Sequence, residues 1–284
     1  MDKLRNIIKE FEGKFSKQLK SQETKKLKEG CYVYELEADT TIPSEYILLM
    51  HFFGEINLEL QDKIVKYILR NQNKYGGWPL FFDGDSDLSA SVKAYYALKL
   101  AGLNKKSKCM LKAKDCILKL GGVEKTNVFT KISLALFDQI SWDSVPFMPI
   151  EIMKFPNWFP FNIYKISYWS RTVLVPLLIV MNRKPFASNP NKISITELYS
   201  CTKNSSRKID IIAKDNGLSK FFIYLDKFAR VLFPFFSGKF KKDCEKIAIK
   251  WIIQRINGED GLGGIFPAMV NSLIALSIVD KHKY

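Results

Sequence analysis

The sequence predicts an all-α protein, and three observations support this class. Apolar residues recur at helical spacing along most of the chain, and the alternation typical of strands is rare. Glycine-rich turns follow or join the helical stretches, namely KYGGW (74–78), KLGG (119–122) and GEDGLGG (258–264). Helix pairs closed by such turns indicate a stacked or circular α/α array, and the irregular spacing excludes a solenoid with a strict period.

Helical stripes are predicted first in the amino-terminal third of the chain. One helix contains Pro43 near its start, where proline is favoured, and another follows Asp87, a residue type that caps helices. The apolar faces consist, in chain order, of Ile42, Tyr46, Leu49, Met50 and Phe53, of Ile64, Val65, Ile68 and Leu69, and of Ala90, Ala94, Ala97, Leu98 and Ala101.

Helices are also predicted near the carboxy terminus, over residues 246–253 and 268–279. The second of these is apolar nearly all round, which is typical of a helix inside the protein. Residues 202–216 are polar and rich in serine and lysine, so we expect an exposed connection there.

The most distinctive segment runs from Asn127 to Pro185, where aromatic residues and prolines are concentrated. Prolines at 146, 149, 156 and 160 exclude a continuous helix, because proline lacks an N–H and restricts the residue before it. The rings on this irregular segment are Phe147, Phe155, Trp158, Phe159, Phe161, Tyr164, Tyr168 and Trp169. We interpret the segment as the wall of an apolar cavity.

The composition limits the classes of protein to which the chain can belong. Its 284 residues, 47% of them hydrophobic, can bury a sizeable core. Five cysteines without zinc-type spacing and an amino terminus unlike a secretion signal predict a cytosolic location. No apolar run approaches the roughly 18–20 residues that span a bilayer. The net charge of +15 comes mostly from dispersed lysines without a nucleic-acid-binding motif, so we predict no nucleic-acid partner.

A second aromatic segment, residues 219–242, combines phenylalanines at helical spacing with flanking lysines. One interpretation is a core helix with a solvated basic face. The other is an interfacial helix whose aromatic side enters the acyl boundary of a membrane while its lysines meet the headgroups. We predict the second, with the membrane-binding residues Phe221, Phe222, Leu225, Phe228, Leu232, Phe235 and Phe236.

Six sequence blocks stand out along the chain. They are GCYVYELEADTTIPSEYILLMHFFG (30–54), NKYGGWPLFFDGDSDLSASVKAYYALKLAG (73–102), NVFTKISLALF (127–137), VPFMPIEIM (145–153), SYWSRTVLVPLLIV (167–180) and GLGGIFPAMVN (261–271). In this order and at this spacing they resemble the amino-terminal part of bacterial squalene–hopene cyclases. The resemblance implies a class II triterpene cyclase fold, in which two α/α barrels, one inserted in the other, enclose a squalene-sized cavity.

The resemblance also implies a domain division and a location. Residues 1–30 correspond to the helical segment that packs on the second barrel, and residues 31–284 to the inserted barrel, incomplete at its carboxy-terminal end. Such proteins are expected at the cytoplasmic side of the inner membrane, bound peripherally (monotopic), and without a cofactor.

Substrate-binding positions follow from the same resemblance. Those matching the cavity lining and the entrance channel are Phe129, Trp169, Ile265, Phe266, Ile166 and Leu174. Cyclisation passes through carbocations, and aromatic faces stabilise a desolvated cation by roughly 0.5–2 kcal/mol each.

The family's QW motif, which clamps outer helices, is matched by Gln72 with Gly76 and Trp78. An earlier repeat, which begins at Gln22, has a tyrosine in place of the tryptophan.

The proton donor of the family has no counterpart in this sequence. Family cyclases protonate a terminal alkene of squalene with an aspartic acid of a DxDD motif, which belongs to the carboxy-terminal half. The sequence to Tyr284 has no DxDD, and DGDSD (83–87) is interpreted as a turn with a helix cap. We therefore predict no catalytic residue here and a carboxy-terminal cyclase half as partner.

Other helical barrels hold zinc prenyltransferases or glycosidases. Two histidines, and Cys109 and Cys116 on one predicted helix, do not suggest tetrahedral zinc coordination, so no metal site is predicted. Glu151 is the acid nearest the aromatic stretch but lacks a partner for paired-carboxylate hydrolysis.

The sequence thus predicts the amino-terminal part of a squalene–hopene-type cyclase, which supplies the cavity wall and a membrane surface for cyclising squalene or a similar polyene. Activity is expected only when a DxDD-bearing half completes it. The alternative is a catalytically inactive, membrane-peripheral isoprenoid-binding protein or relic.

Overall fold

The computed structural model describes residues 39–189, 191–200, 217–256 and 261–280. Within these ranges the regular secondary structure is helical, without a strand, so the predicted all-α class is confirmed. The helices are α1 (Thr41–Phe53), α2 (Leu58–Arg70), α3 (Leu88–Leu100), α4 (Lys108–Lys119), α5 (Val128–Leu136), α6 (Tyr168–Arg183), α7 (Gly217–Leu232), α8 (Gly238–Ile253) and α9 (Phe266–Asp280).

Polar side chains define where several helices begin. Asp87 accepts a hydrogen bond from the Ala90 N–H at 2.8 Å, which confirms the predicted cap of α3. Asn57 and Asn127 accept from the third residue beyond them and cap α2 and α5.

The proline-rich stretch between α5 and α6 is irregular, as predicted. It contains only the 3₁₀ turns Trp142–Ser144, Ile150–Lys154 and Ile163–Lys165. A further 3₁₀ turn, Phe233–Phe235, likewise separates α7 from α8. Backbone groups in such stretches cannot pair as they do within a helix, so other partners must satisfy them.

Helix α3 lies at the centre of the amino-terminal part of the fold. Eleven of its 13 residues are buried, and α1, α4 and α5 pack against it. Its alanines allow these neighbours to approach closely, while Tyr95 and Tyr96 fill the remaining space. Further along the chain, α6 packs against both α8 and α9, and one apolar core connects the two groups of helices.

The predicted QW motif fastens the turn after α2. The Gln72 amide donates to the carbonyls of Gly76 at 2.8 Å and Cys109 at 2.9 Å, which joins the turn to α4. Trp78 is fully buried, and its indole N–H donates to the Ile68 carbonyl at 2.7 Å. These bonds hold α2, the turn and α4 together.

Ion pairs connect elements at buried positions. Lys93 lies 2.5 Å from Glu45 and joins α3 to α1. Lys99 pairs with Glu197, which also accepts from the Tyr95 hydroxyl at 2.9 Å. Burial disfavours the Glu197 carboxylate, but these hydrogen bonds outweigh burial and lower its pKa.

A bidentate ion pair ties α6 to α8. Arg183 donates from Nε to Oε2 of Glu245 at 2.9 Å and from Nη2 to Oε1 at 2.6 Å. The hydrogen bonds to Glu245 raise the pKa of the Arg183 guanidinium. The pair fixes the carboxy-terminal end of α6 against the middle of α8.

In the part of the chain that the structure describes, no helix has both the length and the apolar character needed to cross a bilayer. Residues 1–30, predicted as a separate segment, lie outside the described ranges, so the division between residues 30 and 31 stays a prediction.

Candidate functional site

A cavity of about 950 Å³ lies between the proline-rich stretch and α7. One wall is formed by residues 146–166, and the opposite wall by α7 with the turn that follows it; Leu178 of α6 adds to the lining. Seven phenylalanines face this space, Phe147, Phe155, Phe159, Phe161, Phe228, Phe233 and Phe236. The lining is therefore mostly apolar and rich in aromatic rings.

Aromatic contacts join the two walls. Phe233 lies with its ring centroid 5.8 Å from that of Phe147 and 6.2 Å from that of Phe155. Phe236 stacks on Phe233 at 5.4 Å. These separations are those at which aromatic pairs attract each other beyond simple burial.

Polar contacts join the same walls nearby. Asp226 of α7 accepts a hydrogen bond from the Phe147 N–H at 2.5 Å. Arg230, one turn further on, donates to Asp226 at 2.6 Å and to the Val145 carbonyl at 2.5 Å. These contacts satisfy backbone groups that the neighbouring prolines keep out of a helix.

Sequence reasoning did not single out Asp226 and Arg230. A signal was present, because an acid and an arginine stand four residues apart in this aromatic-rich helix. Spacing alone, however, suggests an ordinary pair along one helix. Their bonds to Phe147 and Val145 depend on tertiary structure.

The large cavity brings together residues predicted for two different roles. Ile166 and Leu174, predicted near the substrate entrance, both line it. So do Leu225, Phe228, Leu232 and Phe236, which were predicted to bind a membrane. The helix predicted to meet lipid thus also forms a cavity wall.

Phe129 lines a different and much smaller cavity, of about 60 Å³, between α1, α5 and α9. Glu45 and Asn271 provide polar groups there. The Phe129 side chain is half exposed, so its ring also faces outward.

Trp169 is the second residue of α6 and is likewise half exposed. Its ring lies against Gly263, where a Cβ would come within 2.1 Å of the Trp169 Cζ3. Phe266 stacks on Tyr46 of α1 with 6.2 Å between ring centroids, and Ile265 precedes it, half-buried. These residues and Phe129 lie outside the lining of the large cavity.

Other residues predicted to bind a membrane differ in exposure. Phe221 and Phe235 expose 56% and 83% of their surface, and Phe228, which also lines the cavity, exposes 62%. The side chain of Phe222 lies outside the described part of the structure. Two exposed residues of α7 were not predicted, Tyr224 at 71% and Val231 at 67%.

Glu151 is almost fully buried beside α8. Burial raises the pKa of its carboxyl group, although its own backbone N–H and Lys241, 3.9 Å away, favour ionisation. Burial also raises the pKa of the Cys244 thiol, and the negative charge of Glu151 acts in the same direction. Among the described residues, no group of three or more metal-ligating side chains converges.

The DGDSD segment forms a turn and a cap. Asp83 adopts a left-handed conformation with φ 55°, as aspartate does in turns, and Asp87 caps α3. Within the lining of the large cavity, the acidic side chain is Asp226, and it is engaged by Phe147 and Arg230. The site is equipped to bind an apolar chain and to present aromatic faces to it.

Fold and site together define a helical protein that has a large apolar cavity with aromatic lining residues. A QW motif elsewhere in the fold holds α2 and α4 together. A family model described as "Squalene-hopene cyclase N-terminal domain" matches residues 16–283. The chain belongs to the squalene–hopene cyclase family, of which it represents the amino-terminal domain.

Relatives agree with this assignment. The squalene–hopene cyclase of Zymomonas mobilis is 43% identical over 267 residues, covering 91% of this chain and 39% of the relative. That of Alicyclobacillus acidocaldarius is 33% identical, covering 90% of this chain and 40% of the relative. A dammaradiene synthase of Dryopteris crassirhizoma is 32% identical, covering 87% of this chain and 36% of the relative. The chain therefore spans about two fifths of the length of these relatives.

Proposed function

We propose that this chain forms the cavity wall and the membrane-facing surface of a squalene–hopene-type triterpene cyclase. Its ligand is squalene or a similar polyene, and a carboxy-terminal half supplies the proton donor. The observation that carries the proposal is the apolar cavity of about 950 Å³ between the proline-rich stretch and α7.

The cavity suits such a ligand in size and chemistry. Its volume lies toward the upper end of the roughly 300–1,000 Å³ range of ligand pockets, as a long hydrocarbon requires. Seven phenylalanines line it, and a polyene offers no polar group that a hydrogen bond would have to satisfy. Aromatic faces would also stabilise a carbocation by roughly 0.5–2 kcal/mol each.

A membrane surface at α7 would account for the large apolar side chains that this wall of the cavity exposes. Tyr224, Val231 and Phe235 are exposed in a chain of net charge +15. Large exposed apolar patches indicate an interaction surface, and an interfacial helix buries such residues in lipid. We place the protein peripherally at the cytoplasmic side of the inner membrane, where a squalene molecule dissolved in lipid would reach the cavity.

A second apolar surface suggests where the carboxy-terminal half docks. It comprises Tyr46, Phe129, Trp169 and Phe266, which lie at or near the starts of α1, α5, α6 and α9 and are half-buried or exposed. Phe129 and Trp169 would line the complete active-site cavity once this surface is covered.

Co-expression tests the cyclase function. The chain alone should convert no squalene, whereas the chain together with a DxDD-bearing half should form a cyclic triterpene, measured by gas chromatography. A purified complex with an intact DxDD that leaves squalene unchanged would contradict the cyclase function. If that inactive complex still retains squalene, the result would favour the alternative, an inactive isoprenoid-binding protein or relic.

Vesicle sedimentation tests the membrane surface separately. Replacing Tyr224, Val231 and Phe235 with serine should release the protein from vesicles of phosphatidylcholine and phosphatidylglycerol. None of the three lines the cavity, so ligand binding should persist. The matched control replaces Leu58, Tyr75 and Phe82 with serine; all three are highly exposed but distant in sequence from α7. Equal sedimentation of both folded variants would contradict the membrane surface.

A further inference from the structure

The spacing of the two cavity walls depends on a pair of charged residues placed among apolar ones. Asp226 and Arg230 project from α7 toward residues 143–147, the start of the opposite wall. Their side chains are only 12% and 26% exposed. Charges this far removed from water are retained only when hydrogen bonds compensate their desolvation.

Both residues make part of that compensation within α7 and part of it across the gap between the walls. One carboxylate oxygen of Asp226 accepts from the Phe147 N–H, and the other accepts from Arg230. Arg230 donates a further hydrogen bond to the Val145 carbonyl. The Arg230 guanidinium also lies over the Phe147 ring, 5.8 Å from its centroid.

The backbone groups involved have no ready alternative. Pro146 and Pro149 flank Phe147 and prevent the helical pairing that would satisfy the Phe147 N–H and the Val145 carbonyl. If α7 moved away, Asp226 and Arg230 would keep only each other, and the hydrogen bonds that both lose to the opposite wall would have to be replaced by water, which an apolar cavity does not supply. The walls therefore have a closed state with all bonds made, and parting them breaks the bonds together.

We propose that Asp226 and Arg230 form a clip that sets the spacing of α7 from the proline-rich wall, and thereby the rate at which long apolar ligands enter and leave the cavity. The pair acts by positioning α7. The class of ligand rests on the proposed function; the role of the clip in holding α7 does not.

Hydrogen exchange on the full chain tests whether the clip holds α7. Asp226→Ala and Arg230→Gln should each speed amide exchange in α7 and in residues 143–148, and leave α3 unchanged. Asp226→Asn keeps an oxygen for the Phe147 N–H and should have an intermediate effect. The control is Lys227→Gln, an exposed position on the same helix that also loses one charge. Unchanged exchange in both clip variants would overturn the proposal.

Ligand kinetics test the consequence for the cavity. The probes are a dansyl-labelled chain of squalene length and a dansyl-labelled farnesyl chain, followed by stopped-flow fluorescence. For the longer probe, both clip variants should raise association and dissociation rates roughly tenfold, the change expected from losing a hydrogen bond to a charged group. The shorter probe should respond less, and Lys227→Gln should match the wild type.

The outcomes separate this inference from the proposed function. Variants with faster exchange in α7 but wild-type rates for the long probe would overturn the role in ligand passage. A wild-type protein that binds neither probe would contradict the proposed function, while the exchange experiment would still decide whether the pair holds α7. Circular dichroism and thermal melting exclude general unfolding of any variant.

Discussion

Gly76 shows how one missing side chain allows the turn after α2 to dock on α4. Its φ of +92° is rarely adopted by other residues, and a Cβ would lie 2.5 Å from the Lys112 carbonyl oxygen. Gly102 has a similar φ of +94° but open space around it. A comparison of the two glycines therefore separates the energetic cost of backbone strain from that of steric overlap.

Alanine substitutions at these glycines should differ in cost. Gly102→Ala should lower the free energy of unfolding by about 1–2 kcal/mol, the cost of a left-handed conformation. Gly76→Ala should lose about 1–3 kcal/mol more, because the added methyl group overlaps α4. Urea unfolding measures both values. Equal losses would show that the turn moves away from α4 without cost.

Buried Glu151 makes stability depend on pH. Its pKa is raised in the folded state by burial, so the folded protein binds a proton more tightly than the unfolded chain does. The contribution of this residue to stability is therefore largest in acid and falls as the pH rises through the folded pKa.

Glu151→Gln should remove the loss of stability that accompanies ionisation of the Glu151 carboxyl group. At about pH 4, where the carboxyl group is protonated in the folded protein, the variant should unfold at the same urea concentration as the wild type. At neutral pH it should unfold at a higher urea concentration than the wild type. Glu59→Gln is the control, because its side chain is 80% exposed and no comparable difference is expected. A variant less stable than the wild type at neutral pH would contradict this account.

At the scale of secondary-structure elements, the contact between α6 and α8 depends on a charge pair that is stabilising only when complete. Arg183→Met should cost about 3–5 kcal/mol, because it leaves the buried Glu245 carboxylate without compensation. Adding Glu245→Leu should recover much of that loss, since no buried charge then remains.

Chemical denaturation of the single and double variants measures this coupling. Lys63→Met, which breaks an exposed pair with Glu59 on α2, serves as control and should cost only about 0–1 kcal/mol. A double variant as unstable as Arg183→Met alone would contradict the predicted coupling.

Some elements were predictable from the sequence and others were not. The apolar stripes of α1, α3 and α9, the cap at Asp87 and the helix break by prolines follow from local rules, and the structure agrees. Helix α6 did not follow, because Pro176 lies inside its apolar run. The end of α7 was also missed, since aromatic residues continue past Leu232 into the turn.

At the scale of the whole molecule, the proposed membrane surface would act through two different forces, the attraction of anionic lipid by the net charge of +15 and the burial of the exposed apolar residues of α7 and the turn after it. Salt screens charge attraction, with a Debye length that falls from about 10 Å at 0.1 M to about 3 Å at 1 M. It does not weaken the burial of apolar side chains in lipid.

Binding of the wild type to vesicles of phosphatidylcholine and phosphatidylglycerol should therefore persist in part at high salt. The variant with serine at 224, 231 and 235 should bind weakly at low salt and lose that binding as salt increases. Sedimentation across a salt series measures both. Complete release of the wild type at high salt would mean that α7 does not insert.

The candidate site was predictable in kind but not in arrangement. The aromatic, proline-rich stretch indicated an apolar wall, and half of its eight rings face the large cavity. The opposite wall, α7, was predicted as a membrane surface, because an apolar face in sequence does not reveal what covers it. The resemblance placed Phe129 and Ile166 in one substrate path, whereas the described residues surround two separate cavities.

The contact between Gly263 and Trp169 has a consequence for protein engineering. The indole of Trp169 rests where a side chain at 263 would otherwise stand, so the direction in which the ring points is determined 94 positions further along the chain. A methyl group added at Gly263 would have to displace the indole, and it would also carry the strain of a side chain at a φ of +74°. The orientation of an exposed aromatic ring could thus be altered by small residues at a position distant in sequence, with Trp169 itself left unchanged.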